Sequence, residues 1–490
     1  MYLKISLKTC NNRREAVIGG INLVTIQDTE LSQGILLAID RAKLLSQPIL
    51  VSEVQKIEGI NPSDFFAAGR NRFLGERFFW KDPNEAHTLV GMGIAKQIQS
   101  NQVSNRFRDV ESKWSNIIES AVIIGEQKES GTGPSLFGGF TFDPVKKKTK
   151  MWSKFSDSLF HIPSYMLSVV NGQAYLTTNV VCTQHDDHRL VEKINAERQV
   201  VLAAASQKQE FSIASIEHID EIGPDEWKES VTELVNSFEG SELKKVVLAR
   251  ELRLRFNDDI KVERTLKHLL AEQPESYVFA FEVNGDCFLG ASPERLVKRE
   301  GEKVFSTCLA GSIARGSTPT EDSLLGESLL QDQKNLVEHE YVVEMIKEAM
   351  NETCEYITIP NRPELMKTKY IQHLYTPVIG KCKQTTSLLD IVDRLHPTPA
   401  LGGLPQEAAV QRIREVEVLD RGFYAAPIGW LDYHGNGEFA VAIRSALIQG
   451  MEASLFAGCG VVADSDAESE YIETSIKFRP MLTALGGNKR

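Results

Sequence analysis

No apolar run in this chain approaches the roughly 18 residues that a membrane-spanning helix needs. The N-terminus, MYLKISLKTCNNRREAVIGG, also lacks the apolar core of a signal peptide. The expectation is a cytoplasmic protein with no membrane partner. The seven cysteines, Cys10, Cys182, Cys287, Cys308, Cys354, Cys382 and Cys459, form no CxxC pair and stand near no histidine at zinc-ligand spacing. A reduced chain with no structural zinc fits this best. Positive charge is short as well: 55 Lys and Arg stand against 67 Asp and Glu, a net charge of -12. Nucleic-acid binding draws on clustered cations, so no nucleic-acid partner is expected. The one basic run, VKKKTK (Val145 to Lys150), is too short to change this and reads as a solvated loop. A glycine-rich phosphate loop of either standard spacing is missing too.

What is present is an ordinary globular composition, 42% hydrophobic and 25% charged, in 490 residues. That length exceeds the usual single core, so one large composite unit or two to three domains are expected. Periodicity fades between Ser206 and Ser230, giving an N-terminal α/β portion over 1–222 and a second portion over 223–490. Pro224 suits a first helical turn, and PDEWKESVTELVNSFEG then runs amphipathically to Gly240. Alternating β-branched runs follow in KKVVLARELRLRF, SYVFAFEV, CFLGASPERLVKRE and KVFSTCLAGS, with Asn284-Gly285 as a hairpin turn. Helices are expected over Asp332 to Met350 and in LPQEAAVQRIREVE, and strands return from AAPIGWLDYHGNGEF onward. Blocks of strands separated by blocks of helices indicate an α+β protein with large antiparallel sheets.

Several residues could carry chemistry. In GCGVVADSDAESEYIETSIKF, Ser465 and Glu468 match a capping box, which starts a helix at Ser465. From that start Glu470, Glu473 and Lys477 fall within about 60° of one another. Ile472 and Ile476 take a different face that can pack inward. A surface ladder of charge pairs, about 0.3 to 0.5 kcal/mol each, is one reading. Half of a metal and carboxylate site is the other, and Gly458 and Gly460 just upstream would let backbone approach an anion. Glu338 sits one helical turn after Asn335, either an exposed helix residue or a ligand for a hard ion such as Mg2+. Lys245 shares a strand face with Val247 and Ala249, an apolar setting that would lower an amine's pKa and suit a base. Glu294 follows a proline, and partial burial would make its carboxyl an acid. Arg444 lies in the apolar EFAVAIRSALI and needs an anion, either a substrate or a structural salt bridge. His396, in LHPTPALGG, reads as structural. Together these residues outline a Mg2+ site, cationic anchors and an acid/base pair for a small dicarboxylate.

The motifs KVVLAR, FLGASPERLV, CLAGSIARG, KNLVEHEYVV, LHPTPALGG, GFYAAPIGWLD, EFAVAIRSALI, FAGCGVV and ESEYIETSIK occur in this order over residues 240–485. They resemble the chorismate-utilising enzymes, and among these the isochorismate synthases of the menaquinone type. FGGFTFDP and RFFWKDP extend the resemblance weakly into the first portion. It implies an anthranilate synthase component I-like fold, with sheets packed face to face and helices outside, and 223–490 as the chorismate-binding catalytic portion. It further implies Lys245 as the base that activates water and Glu294 as the acid that protonates the leaving hydroxyl. Glu338, Glu473 and Glu470 would hold Mg2+. Gly311, Ala400, Arg444, Gly458 and Lys477 would bind substrate. Ala310 stands where aminodeoxychorismate synthases typically carry a lysine, and Lys245 stands where anthranilate synthases usually carry glutamine; both point to water as nucleophile. Asn335 departs from the acidic residue of several relatives, which weakens support of the metal on that side. Salicylate synthase, an isochorismate synthase feeding catechol siderophores, and a non-catalytic chorismate binder are the alternatives. The oligomeric state is not legible in one chain, and a monomer is compatible with all of it.

Overall fold

The structure is a computed structural model that describes residues 29–125, 129–368 and 371–487. The N-terminal segment read for a signal peptide, with Cys10, lies outside the described residues.

Among the described residues twenty-one strands join one hydrogen-bonded network. All pairings are antiparallel except that of Ile49–Ile57 with Val122–Gly125. Helices pack against the strands from outside, as the α+β reading expects. The turn Asn284-Gly285 has φ of +50° and +90°, the two left-handed positions a tight hairpin needs, and joins Tyr277–Val283 to Asp286–Ser292. Strands from the two ends of the chain interleave. Arg77–Lys81 pairs with Tyr277–Val283, and Ser135–Phe140 pairs with Pro427–Asp432. A fully buried guanidinium pins the first of these seams: Arg77 donates to Glu282 at 2.5 and 2.8 Å and to Glu263 at 2.8 Å. Burial of three charges is tolerable because each has a partner. The core between the sheets is aromatic, with Trp80, Phe137, Trp152, Phe281 and Trp430 all 1% exposed or less.

The basic run is the loop read from the sequence, with Val145, Lys147, Thr149 and Lys150 exposed, but Lys146 is partly buried and donates to the carbonyls of Arg414 (3.1 Å) and Glu417 (2.5 Å). The physical reason is that the helix Gln406–Val416 ends there with open carbonyls, which an ammonium satisfies. No described helix is long and apolar enough to cross a membrane. The six described cysteines are free and buried.

Four contacts place the site. The strand Lys245–Phe256 pairs along its length with Glu452–Val461, and its first residues pair with Gly403–Leu404. The helix Gln333–Thr353 packs on the strand Lys303–Ala314, and the helix Ala467–Ala484 packs on Glu452–Val461.

Candidate active site

Lys245 opens its strand and is buried, yet its surroundings are not the purely apolar ones read from its neighbours. Its Nζ lies 2.5 Å from Glu338 Oε1, because the helix Gln333–Thr353 crosses beside the strand end. Burial pushes the Glu338 carboxyl up, but the contacting Lys245 amine, with Lys477 and Lys334 behind it, outweighs this and holds it below the usual carboxylate range. Gly460 explains how the lysine fits. A Cβ there would stand 2.4 Å from Lys245 Cε and 3.0 Å from Nζ. Gly458 and Gly460 both lie in the strand Glu452–Val461, and Gly460 is the floor under the lysine side chain.

Glu294 sits between the strands Asp286–Ser292 and Arg295–Glu300. It is 6% exposed. Burial pushes its carboxyl up to about 7, although Arg444 and Lys245 nearby pull the other way. A carboxylic acid that keeps its proton near neutrality is thus placed within electrostatic reach of an amine.

Arg444 is not inside a strand. It occupies the bend before Ser445–Gln449 with φ of +50°, a conformation that costs a non-glycine residue on the order of 1 kcal/mol. The apolar residues around it gave the appearance of a continuous strand, and the bend turns its side chain toward Glu294, Glu473 and Tyr424. Among the described residues no carboxylate lies within ion-pair distance of it, so the structural salt bridge is not made. Burial weakens its hold on the proton, and the neighbouring Tyr424, Glu473 and Glu294 only partly offset that. A partly buried guanidinium with no carboxylate partner among the described residues is an anchor for an anion.

The helix Ala467–Ala484 inverts its expected orientation. Its N-cap is Asp466, which accepts from Ser469 N at 2.9 Å; Ser465 instead donates to Glu470 Oε1 at 2.8 Å, so the Ser465/Glu468 capping box does not form. The charged stripe faces the site: Lys477 Nζ reaches the Gly458 carbonyl at 2.8 Å and Glu473 Oε1 at 2.5 Å. Ile472 and Ile476, read as the inward face, are 54% and 38% exposed. Helix anchoring comes instead from Thr474, Phe478 and Met481. Burial and the Glu473 charge raise the Glu470 carboxyl, against the Ser465 hydrogen bond.

The structure therefore brings Lys245, Glu294, Glu338, Arg444, Glu470, Glu473 and Lys477 into one electrostatic group. Gly458 joins it through its carbonyl. Gly311 has φ of +81° and lies against Asn335, one turn before Glu338 on the same helix. Ala400 belongs to the turn leading into Gly403–Leu404 beside Lys245. His396 is buried and bonded to the Phe142 carbonyl at 3.0 Å, a structural role as read. One residue was missed. His373, on the strand Ile371–Cys382, is pushed down to about 3 by burial and by the cations Arg444 and Lys477, so it presents a neutral imidazole to the group. Its alternating strand hid it, and no local signal marks it out.

For Mg2+, no group of three or more ligand-type residues is drawn together among the described residues. The donor chemistry nevertheless fits, since Mg2+ takes one or two carboxylates and fills its shell with waters and substrate oxygens. Glu338, Glu473 and Glu470 supply hard oxygens, and the two carboxylates in contact with lysines are half-exposed or less.

An acid, an amine and an unpaired guanidinium around one space, on a sheet scaffold, are the equipment of an enzyme for a small anionic substrate. Comparison with known proteins narrows the class. The chain belongs to the family described as chorismate binding enzyme, whose profile matches residues 37–486. It is 44% identical over 474 residues to isochorismate synthase MenF of Bacillus subtilis, covering 96% of this chain and 100% of that one. It is 35% identical over 464 residues to the salicylate biosynthesis isochorismate synthase of Pseudomonas aeruginosa, covering 92% and 94%. The structure of MenF, the menaquinone-specific isochorismate synthase from Escherichia coli, shares the fold with a TM-score of 0.75 at 22% identity, over 92% of this chain and 100% of that one.

Proposed function

We propose that this protein is a Mg2+-dependent isochorismate synthase of the cytoplasm that supplies menaquinone biosynthesis. In this reading Lys245 takes a proton from water as the oxygen attacks C2 of chorismate. The ring double bonds shift, and Glu294 gives its proton to the C4 hydroxyl, which leaves as water. One water enters and one leaves, so the reaction is an isomerisation. Proton transfer at two separate carbons calls for two separate groups, and about 10²- to 10⁴-fold of rate is the usual return from each. Arg444 and Lys477, with the Gly311 and Gly458 amides, hold the substrate carboxylates, and Ala400 lines the ring. Glu338 and Glu473 would hold Mg2+, with Glu470 supporting them; the ion would neutralise a substrate carboxylate. Ala310 offers no amine to attack the ring, which leaves water as the nucleophile.

The observation that carries the reading is Glu294: buried, without an ion pair among the described residues, raised to about 7 and within reach of Lys245 and Arg444. The 44% identical relative named isochorismate synthase supports it. The test is product analysis after incubation with chorismate and Mg2+. Isochorismate is expected. Salicylate and pyruvate accumulating without a partner lyase would replace the assignment with salicylate synthase, and binding without turnover would leave a non-catalytic chorismate binder. The relative from Pseudomonas is named for salicylate biosynthesis, so siderophore supply is the second pathway reading.

A further inference from the structure

Glu338 and His339 are consecutive on the helix Gln333–Thr353, so their side chains leave it about 100° apart. Glu338 goes to Lys245. His339 goes into the sheet, is 3% exposed, and has both ring nitrogens engaged. Nδ1 lies 2.8 Å from the Ala310 carbonyl, and Nε2 lies 2.8 Å from Thr376 Oγ1. A carbonyl only accepts, so Nδ1 carries the proton and Nε2 accepts from the threonine hydroxyl. Cys308 donates back to the His339 carbonyl at 3.6 Å, tying the helix to the same strand.

The carbonyl that His339 holds lies at an irregular point. Leu309 pairs with Tyr375 and Ser312 with His373, so Ala310 and Gly311 together face Leu374 alone, a β-bulge. Gly311 has φ of +81°, open to glycine and rare for other residues. A bulge with a glycine on one side of a peptide bond is the place where that peptide can rotate most freely. The Ala310 carbonyl and the Gly311 N–H belong to one planar trans peptide and point in opposite directions. Fixing the carbonyl toward the helix therefore fixes the N–H away from it.

We propose that His339 is a positioning residue that aims the Gly311 N–H at the substrate by pinning the Ala310 carbonyl. This rests on the reading of Gly311 as a carboxylate donor for chorismate. Because His339 adjoins Glu338, the same helix turn sets both the carboxylate beside Lys245 and the amide in the bulge. The two ends of the site are thereby held in one register.

Two variants separate positioning from packing. His339→Asn places an amide N–H near the Nδ1 position and keeps the bond to Ala310. His339→Gln places its amide near Nε2, keeps Thr376 and releases the bulge. Losing one hydrogen bond to an ionised group should raise the KM for chorismate about ten-fold in His339→Gln, with kcat changed less, while His339→Asn stays within about three-fold of the parent. Crystal structures of both variants read the Ala310–Gly311 peptide directly, rotated in Gln and unchanged in Asn. Equal loss in both variants alongside equal loss of melting temperature, or an unrotated peptide in His339→Gln, overturns the proposal. If the parent chain does not turn over chorismate, the functional reading fails by itself, and the peptide orientation still tests His339.

Discussion

Replacing Gly460 by alanine is a one-carbon perturbation aimed at the proposed base. Gly460 pairs with Val247 on the neighbouring strand, which puts it diagonal to Lys245, and the lysine side chain lies across it. The added Cβ would meet Lys245 Cε at 2.4 Å. Non-bonded carbons settle at about 3.5 to 4.0 Å, so the end of the lysine must move by more than about 1 Å. The backbone has no need to move, because Gly460 has ordinary extended geometry and the obstruction is a flexible side chain. Stability should change by no more than about 1 kcal/mol, with a small gain from the stiffer unfolded chain as one component. Catalysis should not be spared. A misplacement of about 1 Å can cost on the order of 100-fold, and general-base assistance as a whole is worth about 10²- to 10⁴-fold. The expected outcome is a kcat about 100-fold below the parent with a melting temperature within about 2 °C. Initial rates of isochorismate formation, paired with a thermal melt, measure both. Turnover within about three-fold of the parent in a normally folded Gly460→Ala would refute the placement of Lys245 as the base.

Glu294 gives a pH test. As an acid raised to about 7, it should make kcat/KM fall by about ten-fold per pH unit above that value, and Glu294→Gln should abolish most turnover along with that limb. The same shift has a stability sign: a carboxyl raised from 4.5 to about 7 favours the folded state below its unfolded value, and that contribution is lost as pH rises through 7. Glu294→Gln should accordingly be near neutral at pH 4 and stabilising by on the order of 3 kcal/mol at pH 8, read by denaturant titration. Chelation by EDTA should remove activity and Mg2+ should restore it; full activity after exhaustive chelation would sink the Glu338/Glu473 assignment. Glu282→Ala should cost about 3 to 5 kcal/mol in unfolding free energy, because it removes two charge-assisted hydrogen bonds from the buried Arg77 guanidinium and leaves Glu263 as its carboxylate partner. Ile472→Gln should change stability by less than about 0.5 kcal/mol, against 2 kcal/mol or more if that face were packed.

Local grammar was the legible part of the fold. Asn284-Gly285 announced its hairpin, Pro224 opened its helix, and the β-branched alternation of Lys245 to Phe256 marked a full strand. What stayed hidden was pairing across long separations. Nothing in RFFWK says that it pairs with Tyr277–Val283, because register between distant strands is set by complementary surfaces and not by either pattern alone. Arg444 was read as strand interior for a related reason: its neighbours are apolar and buried, and a single residue in left-handed geometry leaves no mark on a hydropathy pattern. The candidate site residues were visible as residue types at ordered motifs, while His373 was not, and Gly460 was visible only as a small residue and not as the floor under Lys245, because that role lies entirely in what stands beside it.

The helix Ala467–Ala484 shows why hydrophobic periodicity fails near a site. The rule that the apolar stripe faces inward assumes that inward means a dry core. Here the sheet face beneath the helix start carries Gly458 and Lys245, and the space over it is lined by charge. Glu470 accepts from the Ser465 hydroxyl, Glu473 pairs with Lys477 and Lys477 reaches the Gly458 carbonyl, while Ile472 and Ile476 are left to solvent. The helix is anchored lower down, where Phe478 and Met481 reach the core and Arg250 bonds Thr474 and Ser475. Under the proposed function its first turns answer to the ligand and its last turns to the core. An apolar pair displaced to the surface by a charged stripe is therefore itself a sign that the stripe faces a binding space, and it is legible only once strand and helix are seen together.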